Sequence, residues 1–164
     1  MIKKFFTLVL TVCLVSPSFS QNIPDSLDAK LSGKSPKEQV AYLSKTANSI
    51  LKSKSSASFE LAKIANSIAV KNGDKNGEYQ SAVIAGKAAR YAGKASEGVS
   101  YLNSAITIVS QTNNKQVLAP IYNELGLAYR ETKNTAMQLP HFQKRFRYTK
   151  NCLIRKKHWL LPII

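Results

Sequence analysis

The chain contains a short run of residue types that could bind phosphate. Gly33-Lys34-Ser35 imitates the end of a phosphate-binding loop, in which backbone amides and a lysine hold phosphate oxygens. Such a loop needs a second glycine five residues before the first of these, and this chain has Asp28 there. No strand pattern precedes the run either. We therefore assign no nucleotide site to it.

The histidines and one cysteine are the other residues with reactive side chains. His141 and His158 are far apart in sequence and lack a surrounding set of Asp, Glu or Cys, which favours packing or surface roles over a metal site. Basic neighbours of Cys152 favour its thiolate form, yet no histidine stands where it would serve as a partner. The sequence therefore predicts a protein that is not an enzyme and that has no metal or cofactor.

The strongest pattern in the sequence is a repeat at an offset of forty residues. Residues 57–86 align without a gap with residues 97–126, and small and apolar positions recur in register. Self-similarity at a period of this size is typical of stacked helical hairpins, in which neighbouring units bury each other's apolar faces. The matched pairs include Ala65 with Ala105, Ile68 with Ile108, Gly86 with Gly126 and Arg90 with Arg130.

Helix signals place the elements that carry this repeat. Order is predicted to begin at Ser35, which can cap the free amides of a helix. Pro36 suits the first helical position, and Glu38 can complete a capping box with Ser35. The apolar spacing predicts helices from residue 36 to about 52, then over 57–71, 78–91, 95–111, 116–131 and 134–150, with Pro140 interrupting the last.

One of these segments resembles a known family. Tyr122, Leu125 and Gly126 have the residue types and spacing of the first helix of a tetratricopeptide repeat. Tyr129 continues the match on that helix, and Phe142 matches an aromatic position on the second helix. The resemblance implies an all-α fold, a right-handed superhelical solenoid of helix-turn-helix hairpins with a period of about 40 residues. It also implies that the glycine lets the two helices of a hairpin cross closely.

The resemblance weakens on both sides of that segment. Gln138 and Arg145 stand where the family has small residues, so we expect the last hairpin to pack less well. Shifted back by forty residues, the template fits again. Shifted twice, it falls on Tyr42, Lys45 and Thr46 and is recognisable only in the second helix.

The resemblance also implies where a ligand would bind. In this family the first helices line a concave groove, and the outward residues there would be Lys87 and Arg90 of one repeat and Asn123 and Arg130 of the next. Arg90 and Arg130 occupy equivalent positions and would form a cationic ladder for an acidic peptide or carboxylate. The alternative is that these side chains only keep a helix surface soluble.

The first twenty residues have the pattern of a secretory signal peptide. Lys3 and Lys4 precede an apolar run at residues 5–15, and a small-residue cleavage site at 18–20 precedes Gln21. This predicts export, with a mature chain that begins at Gln21. An uncleaved membrane anchor is the alternative, although the run is shorter than the roughly 20 residues that a spanning helix needs.

Four segments follow from these patterns. We predict a signal peptide at residues 1–20, a flexible leader at 21–34, a tetratricopeptide-like helical domain at 35–146, and a basic, poorly ordered tail at 147–164. The leader is predicted from its polar composition and its breaker residues.

Charge is concentrated at the carboxyl end of the chain. The formal net charge is +15 at pH 7, and no acidic residue follows Glu131. A basic tail with interleaved aromatic residues could contact anionic membranes or nucleic acid, or could simply be a solvated terminus; we expect no nucleic-acid partner. The repeat pattern decays from about Thr135, which a reading-frame change would produce, so we also predict that the chain is a truncated fragment of a longer protein.

These patterns predict an interaction module without catalysis that binds a protein or peptide partner in a concave groove. An exported protein of this kind would be periplasmic or membrane-peripheral in a bacterium. The repeats behind a signal peptide resemble the sensor region of some bacterial two-component histidine kinases, so a fragment of such a signalling protein is our first interpretation. A free-standing adaptor is the second. A basic peripheral membrane- or nucleic-acid-binding protein acting through its tail is the alternative from another class.

Overall fold

A computed structural model describes most of the chain. The predicted signal peptide lies outside the described residues, as does the predicted tail apart from residues 147–148. The chain divides into two units, Met1–Lys30 and Leu31–Ile164, and every helix after the first lies within the second unit. The described residues are 25–112, 115–134, 137, 140–145 and 147–148.

All regular structure among the described residues is helical. The predicted helix bounds agree with α2 to α6 to within three residues at each end. Residues 140–145 and 147–148 are also helical and are called here the C-terminal helical segment. No helix in the described ranges has both the length and the apolar character needed to cross a bilayer. The elements are α1 (Asp25–Leu31), α2 (Pro36–Ser49), α3 (Ser55–Lys71), α4 (Lys75–Tyr91), α5 (Ala95–Ser110), a 3₁₀ turn (Lys115–Val117) and α6 (Leu118–Glu131).

The helices stack as hairpins, which confirms the predicted all-α solenoid. Each helix from α2 to α5 packs against the next one in the chain. In addition, α2 contacts α4 and α4 contacts α6. Among the described residues, α3 and α5 have no comparably broad contact with each other. The side formed by α2, α4 and α6 is therefore the inner, concave face of the stack.

Capping chemistry explains where α2 begins. The Ser35 hydroxyl accepts a hydrogen bond from the Glu38 amide at 3.4 Å, and the Glu38 carboxylate accepts one from the Ser35 amide at 2.8 Å. Pro36 occupies the first turn. The predicted capping box is confirmed, and the hydrogen bonds from the Ser35 side chain and backbone lower the pKa of Glu38.

The predicted leader contains a helix, which corrects the expectation that order begins at Ser35. In sequence Pro24 immediately precedes α1, and Gly33 follows it with φ of 75°. Glycine just after a helix is a common residue at a helix end, so Gly33 ends an element here. Leu31, at the end of α1, is buried.

A close crossing of α4 and α5 lies at the centre of the stack. A β-carbon at Gly86 would lie 2.5 Å from Cγ of Leu102, and one at Gly98 would lie 2.8 Å from the carbonyl oxygen of Gly86. At the next hairpin, a β-carbon at Gly126 would lie 3.0 Å from the Phe142 ring. The close helix crossing that the resemblance implied is therefore confirmed in both hairpins.

Small side chains make this approach possible, and one large side chain fills the remaining space. Phe59 is fully buried in a cluster whose other fully buried members are all alanines. A second cluster, built mainly from α5 and α6, contains larger aliphatic side chains such as Leu102 and Leu125. The alanines around Phe59 are Ala47, Ala62, Ala85, Ala88 and Ala89.

The first hairpin departs from the forty-residue register. Buried residues of α2 precede their counterparts in α4 by forty-two residues, because five residues connect α2 to α3 whereas three connect α4 to α5. The repeat template placed on Tyr42, Lys45 and Thr46 is therefore wrong, because the matching positions lie two residues earlier in the chain. None of these three side chains is buried. The matched buried pairs are Val40 with Ala82, Leu43 with Ala85, Ser44 with Gly86 and Ala47 with Ala89.

Candidate functional site

A charge network joins α4 to α6 on the concave face. Nη1 of Arg90 lies 2.8 Å from Oε1 of Glu131, and its Nη2 lies 3.3 Å from Oε2 of Glu124. Nζ of Lys87 lies 3.7 Å from Oε1 of Glu124. Two cations of one hairpin thus meet two carboxylates of the next, and the network ties the hairpins together across the groove.

Arg90 is the most enclosed member of the network. Its side chain is 10% exposed, and its guanidinium carbon lies 4.4 Å from the centre of the Tyr91 ring. Burial alone would lower the pKa of Arg90, but the hydrogen bond to Glu131 and the nearby carboxylates raise it above its ordinary value. Arg90 is therefore a charge that the chain itself neutralises.

The four predicted groove residues have different surroundings. Lys87 and Arg90 share Glu124, as described above. Oδ1 of Asn123 accepts a hydrogen bond from Arg145 at 2.7 Å, whereas Arg130 is exposed. Arg90 and Arg130 are equivalent in the repeat, yet one is paired within the chain and the other faces solvent. The arrangement is a bridge between hairpins beside an open cation, and it is not a ladder of two free arginines.

An apolar cavity adjoins this network. It has a volume of about 260 Å³ and lies between α4 and the first residues of α6. Lys87 lines the cavity and also pairs with Glu124, so the cavity and the network are continuous. Gln80 is the other polar residue in its lining. The apolar lining consists of Tyr79, Val83, Ile84, Val117, Pro120 and Ile121.

Sequence reasoning missed the cavity for a physical reason. Tyr79, Val83 and Ile84 lie on one face of α4 and are half-buried, so their spacing was a usable signal. Val117 and Pro120 come from the 3₁₀ turn and the first turn of α6. Their position relative to α4 depends on how two hairpins pack, which helical periodicity within one element does not specify.

Comparison with known proteins identifies the architecture. No family model and no curated protein matches the sequence. The structure is similar to the crystal structure of the TPR domain of Arabidopsis FLU, with a TM-score of 0.66 and 17% sequence identity, covering 71% of this chain and 99% of that one. The fold is that of tetratricopeptide repeats. The similarity supports the fold that the resemblance implied. It does not identify a ligand.

Within this tetratricopeptide fold, Arg90 is expected to matter for stability. Arg90→Gln should lower the free energy of unfolding by about 2 kcal/mol, because Glu124 and Glu131 lose the donor that they share. Urea denaturation followed by circular dichroism measures the loss. The matched control is Arg130→Gln at the equivalent, exposed position, which should change the stability by less than about 0.5 kcal/mol. Equal losses in the two variants would contradict the assignment of Arg90 as a bridge.

His141 packs inside an aromatic cluster on α6. Its ring lies 5.0 Å from the ring of Tyr129 and 5.9 Å from that of Tyr122, and it is buried. Its Nδ1 is buried and has no hydrogen-bond partner among the described residues. In the same part of the chain, no group of three or more His, Cys, Asp or Glu residues could hold a metal. His158 and Cys152 lie outside the described residues.

The helical domain is expected to lose stability in mild acid through His141. Burial, and then the charge of Lys144, lower the pKa of His141. A histidine in the unfolded chain has a pKa of about 6.5. The stability that the neutral form of His141 contributes is therefore complete above that pH, and it is lost as the pH falls towards the lower pKa of His141 in the folded protein. Melting temperatures at about pH 7.5 and about pH 5.5 should differ, and His141→Phe should reduce that difference. An unchanged difference in this variant would contradict the prediction.

Proposed function

We propose that this protein is an interaction module that holds a protein or peptide partner in the concave groove formed by α2, α4 and α6. The observation that supports it most is the apolar cavity of about 260 Å³ that shares Lys87 with the charge network. Concave sites that recognise a partner commonly combine an apolar pocket with a few fixed polar groups. The proposed role is binding, without catalysis, metal or cofactor.

The charges of the groove favour a partner that carries acidic groups beside a large apolar side chain. Glu124 and Glu131 are already engaged by Arg90, so they offer little to a cationic partner. Lys45 is exposed on α2, at the position equivalent to Lys87 in the forty-two-residue register, and Arg130 is exposed on α6. These two exposed cations therefore lie on the helices at either side of α4, which lines the cavity.

The cellular context is part of the same proposal. The signal-peptide pattern of residues 1–20 supports an exported protein, periplasmic or membrane-peripheral in a bacterium. The decay of the repeat pattern beyond Thr135 supports a fragment of a longer protein. The repeats that follow a signal-peptide pattern favour a two-component signalling protein as the first version, with a free-standing adaptor as the second.

Peptide selection provides the test of groove binding. Random peptides displayed on phage and selected on the purified chain should be enriched in sequences that combine an aromatic or aliphatic residue with Asp or Glu. Val83→Glu should weaken the selected peptides by at least about tenfold, because it places a carboxylate in the apolar cavity.

The matched control is Thr107→Glu, which adds the same carboxylate at an exposed position of α5, away from the concave face. Helicity of both variants is checked by circular dichroism. Selected peptides that bind Val83→Glu as tightly as the unchanged protein, or that lose affinity equally for both variants, would contradict groove binding.

A further inference from the structure

The C-terminal helical segment is attached to α6 by ring contacts, and His141 makes two of them. Its imidazole stacks on the rings of Tyr129 and Tyr122, with angles of 20° and 25° between the planes. Nζ of Lys144 lies 5.5 Å from the centre of the Tyr122 ring. Further contacts with α6 are Phe142 against Gly126, Tyr148 stacked on Tyr122, and a hydrogen bond from Arg145 to Asn123.

The buried core beneath this attachment belongs to the hairpins. Among the described residues, every buried member of the core cluster beside α6 comes from α4, α5 or α6. Tyr148 packs against this cluster but is only partly buried. Segments with few buried contacts open at a lower free energy than the core does. The C-terminal helical segment can therefore separate from α6 while the hairpins keep their packing.

Protonation of His141 is unfavourable while the segment is docked. Its ring is buried, and its Nδ1 has no hydrogen-bond partner among the described residues, so the imidazolium would bury an unsatisfied donor. Burial, and then the charge of Lys144, lower the pKa of His141. An imidazolium on a tyrosine face gains a cation–π attraction, but this gain is smaller than the cost of burying a charge without a partner.

The other ionisable groups that face His141 do not titrate in mild acid. Tyr122 and Tyr129 face it from α6, and Lys144 acts on it from its own segment. Tyrosine and lysine side chains keep one charge state between about pH 5 and about pH 8. Burial also raises the pKa of Tyr122. Among these described groups, His141 is therefore the one whose charge changes.

We propose that protonation of His141 releases the C-terminal helical segment from α6 while α2 to α6 remain folded. Release would expose the aromatic face of α6 around Tyr122 and Tyr129 to solvent. The segment would thus act as an acid-sensitive latch at this end of the helical stack. The inference goes beyond the proposed function and does not depend on it, because the latch needs no partner.

The direction of the pH dependence follows from the lowered pKa of the docked histidine. A released histidine has a pKa of about 6.5, so docking is fully favoured above that pH. Docking weakens as the pH falls towards the lower pKa of the docked state. Release takes up one proton, so the docking equilibrium constant falls by up to about tenfold per pH unit in this window.

Hydrogen exchange of the full chain at about pH 7.5 and about pH 5.5, corrected for the intrinsic exchange rates, tests the latch. We expect the protection of residues 141–145 to fall about tenfold in acid, whereas protection in α3 and α4 should change less than about twofold. His141→Phe keeps a ring that can stack but cannot take a charge, so it should abolish the fall. The matched control is His158→Phe, which removes the other histidine of the chain and should leave the fall unchanged.

A second measurement uses the unchanged chain and so does not depend on the folding of a variant. In NMR spectra, the imidazole of His141 should titrate with a midpoint below about 6.5. The amide signals of Tyr122 and Tyr129 should shift with the same midpoint. A midpoint at or above about 6.5, α6 signals that ignore this titration, a fall in protection that persists in His141→Phe, or an equal fall in α3 and α4 would each overturn the proposal.

Discussion

Gly98→Val is expected to lower the free energy of unfolding by about 3 kcal/mol or more. The first added carbon would lie 2.8 Å from the carbonyl oxygen of Gly86, which is backbone and cannot rotate away. The crossing helices α4 and α5 would have to separate, and Leu102, which fills the space beside Gly86, would lose its packing. Urea denaturation at constant temperature measures the effect.

The matched control for this substitution lies two residues further along α5. Ser100→Val introduces the same side chain at an exposed position and should change the stability by less than about 0.5 kcal/mol. Gly126→Val should be intermediate, because the added carbon meets the ring of Phe142, a side chain that can move. A loss at Gly98 no larger than the loss at Ser100 would show that the two helices do not cross closely.

Phe59→Ala is expected to cost about 3–5 kcal/mol. Phe59 is fully buried, and its ring meets that of Tyr101 edge-on at 5.8 Å. Its fully buried neighbours are alanines, which have no longer rotamer with which to fill the space, so most of the cavity would remain. Chemical denaturation measures the loss, and xenon or benzene binding would detect the cavity.

Phe59→Leu distinguishes the loss of buried apolar volume at Phe59 from the loss of the contacts that its ring makes. The ammonium groups of Lys63 and Lys94 lie 5.0 Å and 5.4 Å from the centre of its ring. Phe59→Leu removes the ring but keeps an apolar side chain, so it should lose less than half as much as Phe59→Ala. A loss below about 1 kcal/mol in Phe59→Ala would mean that the cluster collapses around the gap, contrary to this account.

The sequence was informative about the fold wherever a residue type had a direct packing consequence. Glycines and alanines at a fixed offset predicted close helix crossings, and Gly86 and Gly126 lie at them. An alignment at a constant offset of forty residues cannot show that the turn between α2 and α3 is two residues longer than the one between α4 and α5. For this reason α2 was placed two residues out of register. The helix α1 was missed because Gly33 was interpreted as a chain breaker when it is in fact a residue that ends a helix.

The candidate site was less predictable, because its properties arise between elements. The family resemblance implied that Lys87 and Arg90 lie on the concave face, but their partners depend on the distance between α4 and α6. Glu124 and Glu131 convert Arg90 from a free cation into a bridge, and no pattern within one helix shows this pairing. The apolar cavity has the same origin, since its walls belong to two hairpins.

Two parts of the groove therefore have different roles in this account. The bridge at Arg90 joins neighbouring hairpins beside the cavity. In the proposed function, a partner would contact the cavity and the exposed cations Lys45 and Arg130. Substitutions at the bridge should lower stability first, whereas substitutions in the cavity should lower affinity first.

Hydrogen exchange of the chain with and without a selected peptide shows whether the concave face is the binding surface. We expect slower exchange in α4 and in the first turns of α6, around Val83 and Ile121. We expect no change on the exposed side of α5 around Thr107. Protection confined to α3 and α5, with α4 and α6 unaffected, would contradict binding at the concave face.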